Sequence, residues 1–188
     1  MRRVKTACLL SLLAMAIIVS CAGRPTEVAS TPAAAKVKRV AVLPFANVSG
    51  KGDAGDIVTN LFIVELFKTG RFQVEEAGNI SQFMIHEKVN VIGEMDMDKL
   101  QILGARFGVD AVLIGRVEEF DDGSNTANAV PVLSVTVRMV DPQSGHIIWS
   151  AQHKRAGSDY TMIFDFGTVR SVSALAKNLI KEMIATIH

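Results

Sequence analysis

The sequence predicts one α/β domain built on a mixed sheet of about five strands covered by helices, in the order β-α-β-α-α-β-β-β-α. Three observations predict it. Arg39 to Phe45 is a continuous apolar run closed by Pro44, the pattern of a strand buried on both faces in a parallel sheet. Val132–Asp141 alternates apolar and polar residues and is followed by a turn and a second alternating run, the pattern of an antiparallel hairpin with one solvated face. Several stretches around them carry apolar residues at helical spacing. A crossover pattern first and a hairpin later combine in a mixed sheet.

The elements follow in order. After the first strand comes a Gly/Asp/Ser loop from Asn47 to Asp53, then a helix from Asp56 to Thr69 that ends at Gly70. Arg71–Glu76 is a short second strand. Ile80–Val89 reads as a helix with Ile80, Phe83 and Met84 on one face. Asp96 or Asp98 caps the next helix, which runs through Leu100, Leu103 and Phe107 to Gly108. Asp110–Phe120 is the third strand, apolar on both faces at first and then alternating, with Arg116 and Glu118 on the wet side. In the hairpin, Leu133, Val135, Val137 and Met139 point inward, and so do Ile147, Trp149 and Ala151. The turn between the two strands, Asp141 to Gly145, has Asp141 for a side-chain-to-backbone bond and Gly145 for positive φ. The last helix sets Val172, Leu175, Ala176, Leu179, Ile180, Met183, Ile184 and Ile187 on one stripe.

The chain has 188 residues, of which 49% are hydrophobic and 21% charged, a composition that excludes collagen-like, disulfide-dense and fully disordered classes. The net charge of +1 makes no electrostatic case for nucleic acid. The first twenty residues hold Arg2, Arg3 and Lys5 and no acid, so the remainder carries −2. They read as a secretory signal, with a basic start and an apolar run from Ala7 to Val19 that is short of the roughly 20 residues of a spanning helix. Residues 22–37 are rich in Pro, Ser, Thr, Gly and Ala without an apolar period and read as a flexible tether. The expected division is a signal peptide over 1–20, a cysteine and tether over 21–37, and one periplasmic domain over 38–188.

The segment Ile18-Val-Ser-Cys21 resembles a bacterial lipobox. The resemblance implies cleavage after Ser20, a covalent lipid on Cys21 and acylation of the new amino terminus. Ala22 stands where an aspartate would signal retention in the inner membrane, so by the same rule the destination is the periplasmic face of the outer membrane. Cys8 is lost with the signal, which leaves no thiol pair for a disulfide. Acyl chains contribute about 0.8 kcal/mol per buried CH₂, and several together make a permanent anchor.

A wider resemblance covers residues 38–185. It is carried by Val40-Ala-Val-Leu-Pro-Phe45, Arg71-Phe-Gln-Val-Glu75, Leu103-Gly-Ala-Arg-Phe-Gly-Val-Asp-Ala-Val-Leu-Ile-Gly115 and Val137-Arg-Met-Val-Asp-Pro-Gln-Ser-Gly-His-Ile-Ile-Trp-Ser150. In these the chain resembles the CsgG/LpoB-like bacterial lipoproteins, whose fold is similar to the N-terminal domain of TolB. The resemblance implies a non-enzymatic accessory or assembly factor in envelope biogenesis or export, with CsgG-like curli-type secretion channels as the alternative. Channel members insert long amphipathic hairpins from their sheet. Here Asp121–Asn128 and Arg155–Gly167 are too short for a spanning hairpin, which needs about twice 9–11 residues.

Catalytic and metal signatures are missing from the sequence. Gly50-Lys51-Gly52 lacks the spacing of a phosphate-binding loop. The histidines His86, His146, His153 and His188 have no metal-ligand spacing and read as solvated surface residues. The pairs Glu75-Glu76, Glu118-Glu119 and Asp121-Asp122 lie on or at the ends of strands, where neighbours point to opposite faces and do not converge as acid and base. The chain is therefore expected to have no catalytic residues, no metal and no cofactor beyond the lipid on Cys21. Its partners are expected to be the membrane, through that anchor, and a periplasmic or outer-membrane protein, with a second copy of itself among the choices. Two places suggest where a protein would dock. The helix Asp56–Thr69 is apolar over more than one face, so either neighbouring elements bury it further or a strip near Ile63 and Phe67 meets another subunit. Trp149 sits either in the hairpin core or as a partner-facing anchor.

Overall fold

The computed structural model describes residues 26–89, 95–124, 129–162 and 165–188. Over these residues the sheet has seven strands: β1 (Thr26–Ser30), β2 (Arg39–Val42), β3 (Ala46–Asn47), β4 (Gln73–Val74), β5 (Ala111–Asp121), β6 (Val132–Val140) and β7 (Ile147–Ala156). The helices are α1 (Ala54–Lys68), α2 (Ala77–His86), α3 (Met97–Phe107) and α4 (Val172–Ile184). The strand order is β1-β7-β6-β5-β2-β4, with β3 also paired to β5. Pairing is parallel around β2 and β4 and antiparallel from β5 to β1. The predicted mixed α/β class is observed, and the sheet stays open.

Two of the seven strands have no counterpart in the sequence reading. β3 continues β2 along the same edge of β5 once Pro44 has interrupted the ladder. β1 corrects the tether. Residues 26–30 pair antiparallel with His153–Trp149 of β7, and Ala34 is fully buried. Backbone bonding produces this strand, since all five of its residues are exposed and no apolar alternation marks them.

The sheet separates two cores. On one face α1 and α4 cover Val40, Val42, Leu113, Val135, Val137 and Trp149. On the other, α2 and α3 cover Ala41, Leu43, Val112 and Val140. The α4 stripe behaves as predicted: Leu175, Leu179, Ile180 and Met183 are fully buried. Its burial is worth about 1.5–3 kcal/mol for each large side chain. Gly115 lies directly beneath the Phe45 ring, where a Cβ would come within 2.5 Å of ring atoms, and Phe45 in turn packs on Phe62 with centroids 5.4 Å apart. That close approach locks the β2–β3 connection onto β5.

Two bulges shift the expected facing. Met139 pairs with Trp149 while Val140 pairs with Ile147, so Ile148 is an extra residue. Ile148 is buried and Ile147, predicted to face inward, is half exposed. In β5, Val117 pairs with Val135 and Glu119 with Ser134, so Glu118 is the extra residue.

Candidate functional site

The surfaces left uncovered by helices are where this fold can act. Cys21 and the signal segment lie outside the described residues. The remaining sites predicted from sequence fall into three places.

The Asp141–Gly145 turn is packed rather than presented. Asp141 Oδ1 accepts from the backbone N–H groups of Gln143 at 2.8 Å and Ser144 at 3.3 Å. Gly145 has φ +72°, and a Cβ there would lie 2.7 Å from Met97 Sδ at the start of α3. Gly104 of α3 similarly admits Pro142, which a Cβ would meet at 2.7 Å. The turn thus holds α3 against the hairpin.

Trp149 belongs to the core, as the strand alternation predicts, and is not the partner-facing anchor of its alternative reading. It is 1% exposed, and its Nε1–H donates to Thr186 Oγ1 at 3.1 Å beyond the end of α4. A buried indole needs such a partner for its one polar group. On α1, Ile63 is half-buried against the core, whereas Val64 and Phe67 are exposed, Phe67 at 70%. The outward apolar strip is therefore Val64 and Phe67, three residues apart on one helix face. The rest of the broad apolar surface is buried by α4 and the sheet.

The third place is the bare half of the sheet, across β5, β6 and β7. The bulge puts Glu118 and Glu119 on one face, against the expectation that neighbouring carboxylates point apart. Glu118 accepts from Thr136 Oγ1 at 2.8 Å, Ser134 Oγ at 3.0 Å and Gln152 Nε2 at 3.0 Å. Burial pushes its pKa up, but those three donors together with nearby Arg116 outweigh that and hold it below the usual carboxylate range. Glu119 pairs with Lys154. Ile114, Gly115, Arg116, Glu118, Thr136 and Arg138 line a shallow cleft of about 180 Å³. Acid and base alternate across this face, a shallow polar surface on which Glu118 and Glu119 are engaged by neighbouring side chains.

Behind the sheet, on the α4 side, lies a polar cluster that sequence reasoning missed. Arg155 donates to Glu182 Oε2 through Nε at 2.9 Å, and Tyr160 donates to Glu182 Oε1 at 2.7 Å. His153 is 2% exposed, which corrects its reading as a surface histidine. Its ring nitrogens have no hydrogen-bond partner, and Nδ1 stands 3.9 Å from Glu182 Oε2. Strand parity carries the missing signal: His153 follows Trp149 and Ala151 at period two, on the inward face. Glu75 and Glu76 also have structural work. Glu75 accepts from Arg39 and Asn79, and Glu76 caps α2 by accepting from the Asn79 N–H. Among the described residues no group of three or more His, Cys, Asp or Glu side chains is placed to hold a metal ion. No described helix is long and apolar enough to cross a membrane.

No protein-family model matches the chain, and no curated protein sequence matches it significantly. Solved structures do. A PelC L103M dodecamer from Paraburkholderia phytofirmans aligns with a TM-score of 0.61 at 22% identity, covering 87% of this chain and 98% of that one. Lipoprotein GNA1162 from Neisseria meningitidis aligns at 0.54 and 19% identity, covering 80% and 97%. The C-terminal domain of LpoB from Salmonella enterica aligns more weakly, at 0.48 and 15% identity, over 63% and 82%. At these identities the likeness is one of fold.

Proposed function

We propose that this chain is a non-enzymatic lipoprotein, acylated on Cys21 and held on the periplasmic face of the outer membrane, that serves envelope biogenesis or export through protein–protein contacts. The observation that carries this reading is the lipobox at Cys21 ahead of a domain whose fold is similar to that of lipoprotein GNA1162. The bare polar sheet face and the Val64/Phe67 strip are the surfaces offered to partners. A second reading is a subunit of a CsgG-like oligomeric curli-type secretion channel; the likeness to the PelC dodecamer supports its oligomeric part alone. High-order self-association belongs to the second reading, and the α1 strip is the contact we assign to it.

The test of the anchor is a Cys21→Ser variant. Wild-type protein should fractionate with outer membrane and incorporate labelled palmitate. The variant should lose the label and leave the membrane fraction. A variant that still sediments with outer membrane would refute lipid anchoring. In-cell crosslinking at native expression, read by mass spectrometry, then separates the readings: a foreign envelope protein supports the accessory role, and high-order self-adducts support the oligomeric assembly.

A further inference from the structure

We propose that Met162 and Phe166, which follow β7, make a second membrane contact and lie in the lipid surface beside the acyl anchor. Met162 and Phe166 are each 74% exposed, among the most exposed large apolar side chains of the described residues. Their backbones are hydrogen-bonded to each other. The Met162 N–H donates to the Phe166 carbonyl at 2.8 Å, the hydroxyls of Thr161 and Thr168 meet at 2.6 Å, and the Val169 N–H donates to the Gly157 carbonyl at 3.0 Å. Below them, Tyr160 is tied to Glu182 of α4. Two large apolar side chains on hydrogen-bonded backbone are thus presented to solvent, an exposed apolar pair of the kind that marks an interaction surface.

The course of the chain selects lipid as the occupant. β1 runs antiparallel to β7, with Thr26 opposite His153. The amino-terminal end of β1 therefore lies toward Ala156, where β7 ends ahead of Met162 and Phe166. Three residues of strand, about 10 Å, separate the two levels. Cys21 precedes Thr26 by five residues, a reach of at most about 18 Å. A lipid on Cys21 thus brings this end of the sheet to the bilayer and leaves the opposite end, at Ile147, about 30 Å away along β7. The inference rests on the proposed acylation of Cys21.

The experiment uses the full-length lipidated protein, reconstituted in phosphatidylethanolamine/phosphatidylglycerol vesicles with acyl chains brominated near the headgroup. Phe166→Trp and Met162→Trp report on the apolar pair, and Ile147→Trp reports on the far end, each corrected for buried Trp149. The protein should float with the vesicles, and tryptophans at 166 and 162 should be quenched severalfold more than the one at 147. Flotation with equal quenching at all three positions would overturn the membrane contact while leaving the anchor standing. Failure to float would overturn the anchor and the contact with it. A blue-shifted, bromine-insensitive tryptophan at 166 that crosslinks to another copy would overturn lipid as the occupant and assign the pair to a subunit interface.

Discussion

His153 shows how a single residue sets a pH response in this molecule. It is buried on the α4 side of the sheet between Arg155 and the end of the Glu182 carboxylate, with both ring nitrogens unpartnered. Burial first, and the charge of Arg155 second, push its pKa below the ordinary histidine value of 6.5, while Glu182 pulls the other way. The folded protein therefore holds His153 neutral where the unfolded chain already binds a proton. The unfolded state binds more protons below pH 6.5, so stability is full above that value and falls as the pH drops toward the folded pKa. One such proton changes stability by at most about 1.4 kcal/mol per pH unit. Urea unfolding at pH 5, 6, 7 and 8 should give a lower midpoint at 5 than at 7 and a flat response from 7 to 8. A His153→Leu variant should remove the fall between 7 and 5. An unchanged fall in that variant would assign the acid sensitivity to groups other than His153; Glu75 and Glu118 are not among them, because their partners hold both pKa values below 4.5 and their contribution is lost only below that pH.

At the scale of elements, β1 is the piece whose presence is least secure. Ordering a residue costs about 1–2 kcal/mol, and a backbone hydrogen bond contributes about 0.5–1.5 kcal/mol. With five exposed residues and no apolar burial, β1 sits near balance. It is held at its exit by Thr31, whose N–H and hydroxyl both reach the Ile148 carbonyl, and by Ser30 Oγ, which donates to the His188 carbonyl at 2.8 Å. Hydrogen exchange should show amides of residues 26–30 opening orders of magnitude sooner than those of 132–140 in β6. Equal protection would mean that β1 unfolds only with the core. The same energetics explain what the sequence revealed. Helices α1 to α4 and strands β2, β5, β6 and β7 were legible because each buries an apolar stripe or run. β1 and β3 bury too little to leave a pattern, and the bulges at Glu118 and Ile148 invert parity without marking composition. Among the candidate contact residues, Phe67 was legible as an apolar excess on α1. Ile63 was not separable from it, because exposure depends on where α4 docks, whereas strand alternation already turned Trp149 inward.

As a whole molecule this is an open sheet with short edge strands, two covered core faces and one bare polar half-face. Such a unit does not close on itself, so any ring it forms is built from several copies. A closed ring larger than a dimer uses heterologous contacts, in which one patch meets a different patch on the next subunit. Every subunit then uses the same patch once, and damage to that patch breaks all contacts together. The Val64/Phe67 strip is the apolar patch we assign to this contact. Charged side chains there desolvate poorly at an interface core. On the oligomeric reading, the wild-type lipidated protein in detergent should run as a high-order species by light scattering. A Val64→Lys/Phe67→Lys double variant should run as monomer with an unchanged far-ultraviolet spectrum, since both positions face solvent on a helix whose buried side is untouched. Mixing variant with wild type should yield open arcs of intermediate mass, because a variant subunit still offers its other patch and terminates a growing ring. If the double variant keeps the wild-type mass, the subunit contact lies elsewhere, and the bare face around Glu118 becomes the next surface to alter.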